Sequence, residues 1–220
     1  MHKLIERYFR ANNWVVLIVL IIIYSIALTI EFNYLFTDDF YISALEGKRS
    51  LESIDNLIIK ERNSQWVNYP MAIAVVLIPA LLIAFCLNIG TVLNNYKVSF
   101  LKVFGITLKA QLIFALNYLV AVILKSTGIL EFTYSSVNNN YKFQSLLVFI
   151  DTKSSPYWLL YPLQCINIAE GLHMIFLGYG ISVLLNQKFA KSLFFVLLWY
   201  GVGLIFWIVF SVFLQTVLYA

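Results

Sequence analysis

The chain has 220 residues, of which 61% are hydrophobic and 12% are charged, whereas an ordinary globular chain carries about 25% charged residues. Its mean hydropathy is +0.84, and no polar stretch exceeds about 30 residues, which is too little for an independent soluble domain. The net charge of +4 comes from basic residues that recur near every second link between apolar runs, which argues against a nucleic-acid-binding surface. The composition therefore predicts one membrane domain over residues 1–220.

Residues 1–13 form a short basic start, and residues 14–36 are the first apolar run. This run is long enough to cross a bilayer, which takes about 20 residues in a helix. The apolar side chains of the start fall at helical spacing beside Lys3, Arg7 and Arg10. Two interpretations follow: a brief helix lying on the inner leaflet, or an ordinary basic flank of the kind that orients a first span.

Residues 37–69 are the one long polar stretch of the chain, and acidic residues outnumber basic ones in it. Leu51, Ile54, Leu57 and Ile58 recur there at intervals of three and four residues. That spacing predicts an amphipathic helix. We expect an outer loop that either docks a partner or covers the protein's own helices.

The second predicted span, residues 70–93, contains Pro79, which removes a helical hydrogen bond and should kink the helix. Ala80, Ala84 and Asn88 follow at intervals of four residues and share one face. Small residues on one face let a neighbouring helix approach closely. We therefore expect this face to pack against another helix, with Asn88 hydrogen-bonded across the contact.

The third predicted span, residues 103–124, follows a basic link and contains Lys109, Gln111 and Asn117. Lys109 lies within two turns of that link, so its long side chain should snorkel to the inner interface. Gln111 and Asn117 are unsuited to contact with lipid, and we expect them to face other helices or a polar cavity.

Residues 125–166 combine a polar, turn-rich segment with an aromatic cluster bracketed by two prolines. Such a composition is typical of outer loops and of segments at the level of the lipid headgroups. We interpret the region as an outer interfacial region. The alternative is a long, tilted fourth span that begins near Tyr157.

The fourth and fifth predicted spans cover residues 167–185 and 193–218 and form a hairpin. Gly171, Gly178 and Ser182 give the fourth span a small-residue face, with the last two in small-x-x-x-small spacing. This face is a second candidate for helix packing.

Glu170 and His173 lie three residues apart, as in carboxylate–imidazole pairs that bind metals inside helix bundles. Such sites need similar ligands from several helices, and His2 is the only other histidine. We therefore expect no metal. Two other roles stay open for Glu170: it lies partly hydrated near the outer interface while His173 hydrogen-bonds within the bundle, or it pairs with Asn117.

The distribution of charge predicts the orientation of the spans. With the amino terminus inside, the short inner segments hold eight basic residues and one acidic residue, whereas the longer outer segments hold seven and nine. The positive-inside rule then places the amino terminus in the cytosol and the carboxyl terminus outside.

No motif for nucleotide binding, metalloprotease chemistry or serine hydrolysis occurs in the chain. Cys86 is predicted toward the inner half of the second span and Cys165 at the outer face, so their Cα atoms should lie farther apart than the ~7 Å limit for a disulfide, and we expect free thiols. The sequence therefore predicts neither catalytic residues nor a cofactor.

Residues 167–170 read Asn-Ile-Ala-Glu and residues 180–182 read Gly-Ile-Ser. These motifs, with Lys191 before the last span and Trp199 inside it, resemble the Yip domain family, whose eukaryotic members bind Ypt/Rab GTPases. The likeness extends loosely over residues 69–218. It implies five spans with a cytosolic amino terminus, and the short segment before the first span is similar to the bacterial branch of the family.

The predicted fold class is thus an all-α integral membrane protein, a bundle of five transmembrane helices in the bacterial inner membrane. We expect a non-enzymatic interaction or accessory subunit whose partners are the lipid bilayer and other membrane proteins or a second copy. The alternative is a transporter of a small solute or ion, whose polar residues would converge on one water-accessible cavity. That path would be lined by Asn88, Gln111, Asn117, Glu170 and His173.

Overall fold

A computed structural model of the chain describes residues 2–133, 142–151 and 155–218. Within these ranges the chain is all-helical and contains no β-strand, only an isolated bridge between Ser145 and Asn167. The helices are α1 His2–Phe9, α2 Asn13–Tyr34, α3 Asp38–Leu45, α4 Leu51–Ser64, α5 Asn68–Leu93, α6 Phe100–Ala110, α7 Leu112–Ser126, α8 Tyr157–Cys165, α9 Ile168–Leu185 and α10 Phe189–Leu218.

Five helical stretches of the described chain are long and apolar enough to cross a membrane. They are Asn13–Tyr34, Leu51–Leu93, Phe100–Ser126, Ile168–Leu185 and Phe189–Val217. The third stretch is half buried inside the bundle, whereas in each of the other four no more than 33% of the residues are buried, as expected for helices that face hydrocarbon rather than water. The prediction of an all-helical chain with five such helices is confirmed.

The second stretch is longer than predicted because α4 continues into α5 through the short 3-10 helix Gln65–Val67. α5 also continues as a helix through Pro79. The fourth stretch does not start near Tyr157: α8 ends at Cys165, and α9 starts after Asn167, whose side chain accepts the backbone N–H of Glu170 at 2.8 Å. Residues 134–141 and 152–154 of the predicted outer region lie outside the described residues.

The small residues predicted to pack occupy different places. Ala80 and Ala84 are buried on α5, where the Thr107 hydroxyl of α6 donates to the Ala80 carbonyl at 2.8 Å. A Cβ added at Gly178 would lie 3.2 Å from the backbone of Leu193 on α10, and Ser182 is buried one turn further on. Gly171 is exposed, and no atom lies within 4 Å of where its Cβ would be. It therefore takes no part in a contact among the described helices.

α1 packs against α9, and the Phe9 ring occupies the space that a side chain at Gly180 would need. Lys109 does not snorkel, because its side chain is only 5% exposed. Its ammonium group donates to the carbonyl oxygen of Phe9 at 3.0 Å, and the Tyr8 hydroxyl donates to the Lys109 carbonyl at 2.9 Å. A cation at the carboxyl end of a helix stabilises the unpaired carbonyls there. Lys109 therefore joins α1 to α6.

The predicted amphipathic helix is α4, which pairs with α3 around a small cluster of its own, formed by Leu45, Ile54 and Ile58. The Arg62 guanidinium donates to both oxygens of Asp38, at 2.7 and 2.6 Å. Both bonds come from one nitrogen, Nη2, so a single charge-assisted donor is shared by the two carboxylate oxygens. The ion pair joins the start of α3 to the end of α4, next to the short 3-10 helix that leads into α5.

Candidate functional site

A cleft of about 1070 Å³ lies between α5, α7, α8, α9 and α10. Two glycines set the place where α5 and α10 touch: Gly90 leaves room for the Trp199 ring, and Gly203 leaves room for Cys86. Trp199, Cys86 and Gly203 themselves line the cleft, and farther along the two helices larger apolar side chains such as Leu82 and Phe206 line it as well. The cleft therefore extends from the small-residue contact between α5 and α10 to the larger side chains beyond it.

The walls of the cleft are mainly aliphatic and aromatic, with a few polar groups and, among the described residues, no lysine, arginine or histidine lining it. A mostly apolar site with a few placed polar groups is the usual form of a small-molecule site. The side chains with polar groups that line it are Tyr24, Cys86, Gln111, Asn117, Tyr161, Cys165, Asn167, Glu170, Trp199, Tyr200 and Trp207.

Glu170 lies in the first turn of α9, and its side chain is 14% exposed. The Tyr200 hydroxyl of α10 donates to Glu170 Oε1 at 2.6 Å, which links the first turn of α9 to α10. The amino end of α9 favours a carboxylate. The alternative in which Glu170 pairs with Asn117 is therefore wrong: both residues line the cleft, but the hydrogen bond comes from Tyr200.

His173 lies one turn after Glu170 and is completely buried. Its Nδ1 is 3.7 Å from Glu170 Oε1, too far for a hydrogen bond, and neither ring nitrogen has a partner among the described residues. Aromatic contacts hold the ring instead, with Phe114 at 4.4 Å and Tyr200 at 5.7 Å between centroids. The expectation that His173 hydrogen-bonds within the bundle is wrong for this part of the chain.

Gln111 marks the junction of α6 and α7, lines the cleft and is only 1% exposed. Its backbone N–H donates to the carbonyls of Thr107 and Leu108, both at 3.2 Å. The side-chain Nε2 has no partner in the described chain. A buried amide nitrogen without a partner carries a free-energy cost of about 1–3 kcal/mol, and an acceptor brought within reach of this nitrogen would remove that cost.

The six polar residues singled out in the sequence are thus distributed unequally. Gln111, Asn117 and Glu170 line one cleft, with His173 directly behind Glu170. Asn88 lies outside it, where its carbonyl accepts from the Thr91 hydroxyl at 2.8 Å. Lys109 is likewise outside, in its bond to α1. Among the described residues no group of three or more histidine, cysteine or acidic side chains could hold a metal ion.

Sequence reasoning missed Tyr200, which orients Glu170. Its position could have indicated a role, since a tyrosine inside an apolar run needs a hydrogen-bond partner for its hydroxyl. It also missed α8, where Tyr161 accepts a hydrogen bond from Trp207 Nε1 at 2.8 Å. Both cysteines are free thiols, as predicted, and both line the cleft. Burial raises the pKa of the Cys165 thiol, so it stays neutral at physiological pH.

These features define a class of protein: apolar helices that enclose a mostly apolar cleft with a half-buried carboxylate at its wall. No protein-family model, curated protein or solved structure matches this chain.

Proposed function

We propose that this is a non-enzymatic, five-span protein of the bacterial inner membrane that binds an apolar partner from the membrane in the cleft. The observation that carries the proposal is the size and character of the cleft, about 1070 Å³ with largely apolar walls. Apolar binding sites in proteins commonly measure about 300–1,000 Å³. A binding role of this kind suits an accessory subunit and does not require catalytic residues.

The membrane orientation rests on charge. The link between α5 and α6 and the link between α9 and α10 are basic, which supports a cytosolic position for both and an outer position for the α3–α4 hairpin. Single cysteines at Lys188 and Glu52, in a chain that carries Cys86→Ser and Cys165→Ser, test this. An impermeant maleimide added to intact spheroplasts should label the cysteine at position 52 and spare position 188, and the reverse pattern would refute the orientation.

The binding role is tested by native mass spectrometry of the full chain purified in a mild detergent. Leu82 lines the cleft and is 48% exposed, and Leu81 beside it does not line the cleft and is 37% exposed. Leu82→Trp should fill the cleft, whereas Leu81→Trp is a matched control on the same helix. We expect a bound molecule that is retained by wild type and by Leu81→Trp and lost from Leu82→Trp. Absence of any bound molecule, or equal retention in both variants, would refute the proposal.

The second candidate function is transport, and it is favoured by one observation: Gln111, Asn117 and Glu170 line the same cleft. Asn88 and Lys109 lie elsewhere, and the walls are mainly apolar, which suits an amphiphile better than an ion. Flux of small ions and solutes into proteoliposomes that depends on Glu170 would establish transport. We expect none above that of empty liposomes.

The resemblance to the Yip domain family also supports an accessory role. Its first motif, residues 167–170, coincides with the start of α9 at the cleft. Membership in that family is part of the proposal. Co-purification of a stoichiometric membrane protein would support the accessory role.

A further inference from the structure

The polar groups of the cleft whose hydrogen-bonding capacity the described chain does not use include Trp199 Nε1, a donor near the contact of α5 and α10, and two groups on other helices. One is Gln111 Nε2, a donor without a partner. The other is the second oxygen of Glu170, since the Tyr200 hydroxyl donates to Oε1 and no described residue donates to Oε2. Both side chains line the cleft. A molecule that satisfies them must therefore offer an acceptor to Gln111 and a donor to Glu170.

The two groups lie at different depths. α9 runs antiparallel to α6 and α7, because Ile106 meets Gly180 and Phe114 meets His173. Glu170 is one turn before His173, at the level of Asn117, and Gln111 is one turn from Phe114 in the opposite direction. Asn117 and Gln111 are separated by about 9 Å along the helix, at 1.5 Å per residue. Side chains that reach toward each other shorten this span, so the ligand needs two polar groups several bonds apart.

Charge restricts the ligand further. No basic side chain of the described residues lines the cleft, so an anionic headgroup would meet the Glu170 carboxylate without compensation. A simple cationic amine would satisfy Glu170 but would leave Gln111 Nε2 without an acceptor. An uncharged molecule with a hydroxyl group and a carbonyl oxygen satisfies both positions.

We infer that the cleft binds an uncharged acyl lipid with a free hydroxyl, its hydroxyl at Glu170, its carbonyl at Gln111 and its acyl chain along α5 and α10. The inference rests on the proposed function, because it names the ligand class of the same cleft. The volume of about 1070 Å³ accommodates a molecule of drug size or larger. The lateral walls of Leu82 and Phe206 offer the acyl chain an apolar surface.

The test compares five probes with an 18-carbon chain against the full protein in detergent, with retention measured by native mass spectrometry. Monoolein carries hydroxyl and carbonyl, oleyl alcohol only the hydroxyl, and methyl oleate only the carbonyl, whereas octadecene carries neither and oleate is anionic. Each net hydrogen bond is worth about five- to tenfold in affinity. We expect monoolein to bind best, the two single-group probes next, octadecene more weakly, and oleate no better than octadecene.

Two variants assign the polar contacts. Gln111→Leu should remove the advantage of monoolein over oleyl alcohol and leave the affinity for oleyl alcohol unchanged, which is a difference that misfolding cannot produce. Asn88→Leu, which deletes an amide outside the cleft, is the control and should preserve the advantage. Glu170→Gln keeps an acceptor for Tyr200 and removes the charge, so it should raise the affinity for oleate about tenfold or more.

The outcomes separate this inference from the proposed function. Equal binding of all five probes, with loss in Leu82→Trp, would overturn the inference and leave the cleft as a general apolar site. Preferential binding of oleate would also overturn it. Failure of every probe to bind, octadecene included, would overturn the proposed function itself.

Discussion

Two carboxylates lie among the apolar helices, and their surroundings differ. Glu31 on α2 accepts a hydrogen bond from the Tyr118 hydroxyl of α7, and Lys125 on the same helix as Tyr118 attracts it electrostatically. Glu170 on α9 also accepts from a tyrosine, Tyr200, yet it borders the cleft, which no basic residue of the described chain lines. We call the Glu31 site closed, because a tyrosine and a cation face its carboxylate. We call the Glu170 site open, because a tyrosine alone leaves its carboxylate able to bind a ligand.

Glu31 and Glu170 show that burial alone does not identify a functional residue among apolar helices. Glu31 is only 9% exposed, and its partners account for it as a contact between α2 and α7. Glu170 is distinguished by what it faces, a cavity with an unpartnered donor in its wall. The closed site should therefore contribute more to stability and the open site more to binding, and three substitutions test that division.

The largest effect is expected at the closed site. Glu31→Leu removes the acceptor of Tyr118 and the negative charge that attracts Lys125, so it should lower the free energy of unfolding by about 3 kcal/mol. For a chain of this size that corresponds to a fall of several degrees in Tm, roughly 2–4 °C for each kcal/mol. Thermal unfolding in detergent measures it. An unchanged Tm would show that the Glu31 contacts contribute nothing to stability.

A smaller loss is expected where α5 packs against α6. Ala84 is fully buried there, and Ala84→Leu overfills the contact, which costs about 1–3 kcal/mol. Ala74→Leu is the control, because Ala74 is on the same helix at a half-buried position that does not line the cleft. It should change the free energy of unfolding by less than about 0.5 kcal/mol. Equal Tm values for the two variants would contradict a close small-residue contact at Ala84.

The smallest change in stability is expected at the open site. Glu170→Gln keeps an oxygen for the Tyr200 hydroxyl, and no basic side chain of the described residues lines the cleft for it to leave unpaired, so the free energy of unfolding should change by less than about 0.5 kcal/mol. Glu31→Gln should cost about 1–2 kcal/mol, since it removes the charge that Lys125 faces. Thermal unfolding of these two isosteric variants, measured side by side, compares the two losses in stability. A larger loss at Glu170 than at Glu31 would reverse the comparison.

Much of the architecture could be predicted from local pattern. Apolar runs of bilayer length identify α2, α5, α9 and α10, and the three- and four-residue spacing of Ile54 and Ile58 identifies α4. The cap of α9 is also local, since Asn167 meets Glu170 within one turn. Gln111, Asn117 and Glu170 could be recognised as unsuited to lipid from their type and position alone.

The partners of such residues could not be predicted, because they lie on other helices. Lys109 looked like a snorkelling lysine within reach of a basic link, but the carboxyl end of α1 packs beside it and accepts its hydrogen bond. Tyr200 reaches Glu170 from the other arm of the α9–α10 hairpin. Nothing in the spacing of apolar residues records which face of one helix meets which face of another.

The sequence by itself determined the class of the protein, because a chain that is 61% hydrophobic and 12% charged can satisfy its backbone in an apolar environment only as helices or a closed barrel. The tertiary structure alone decided where a site exists. Gly90 and Gly203 bring α5 and α10 together at one end, and the larger side chains beyond them leave the cleft at the other. That outcome depends on the shapes of two distant segments in contact, which is a property of the packed helices and not of either segment.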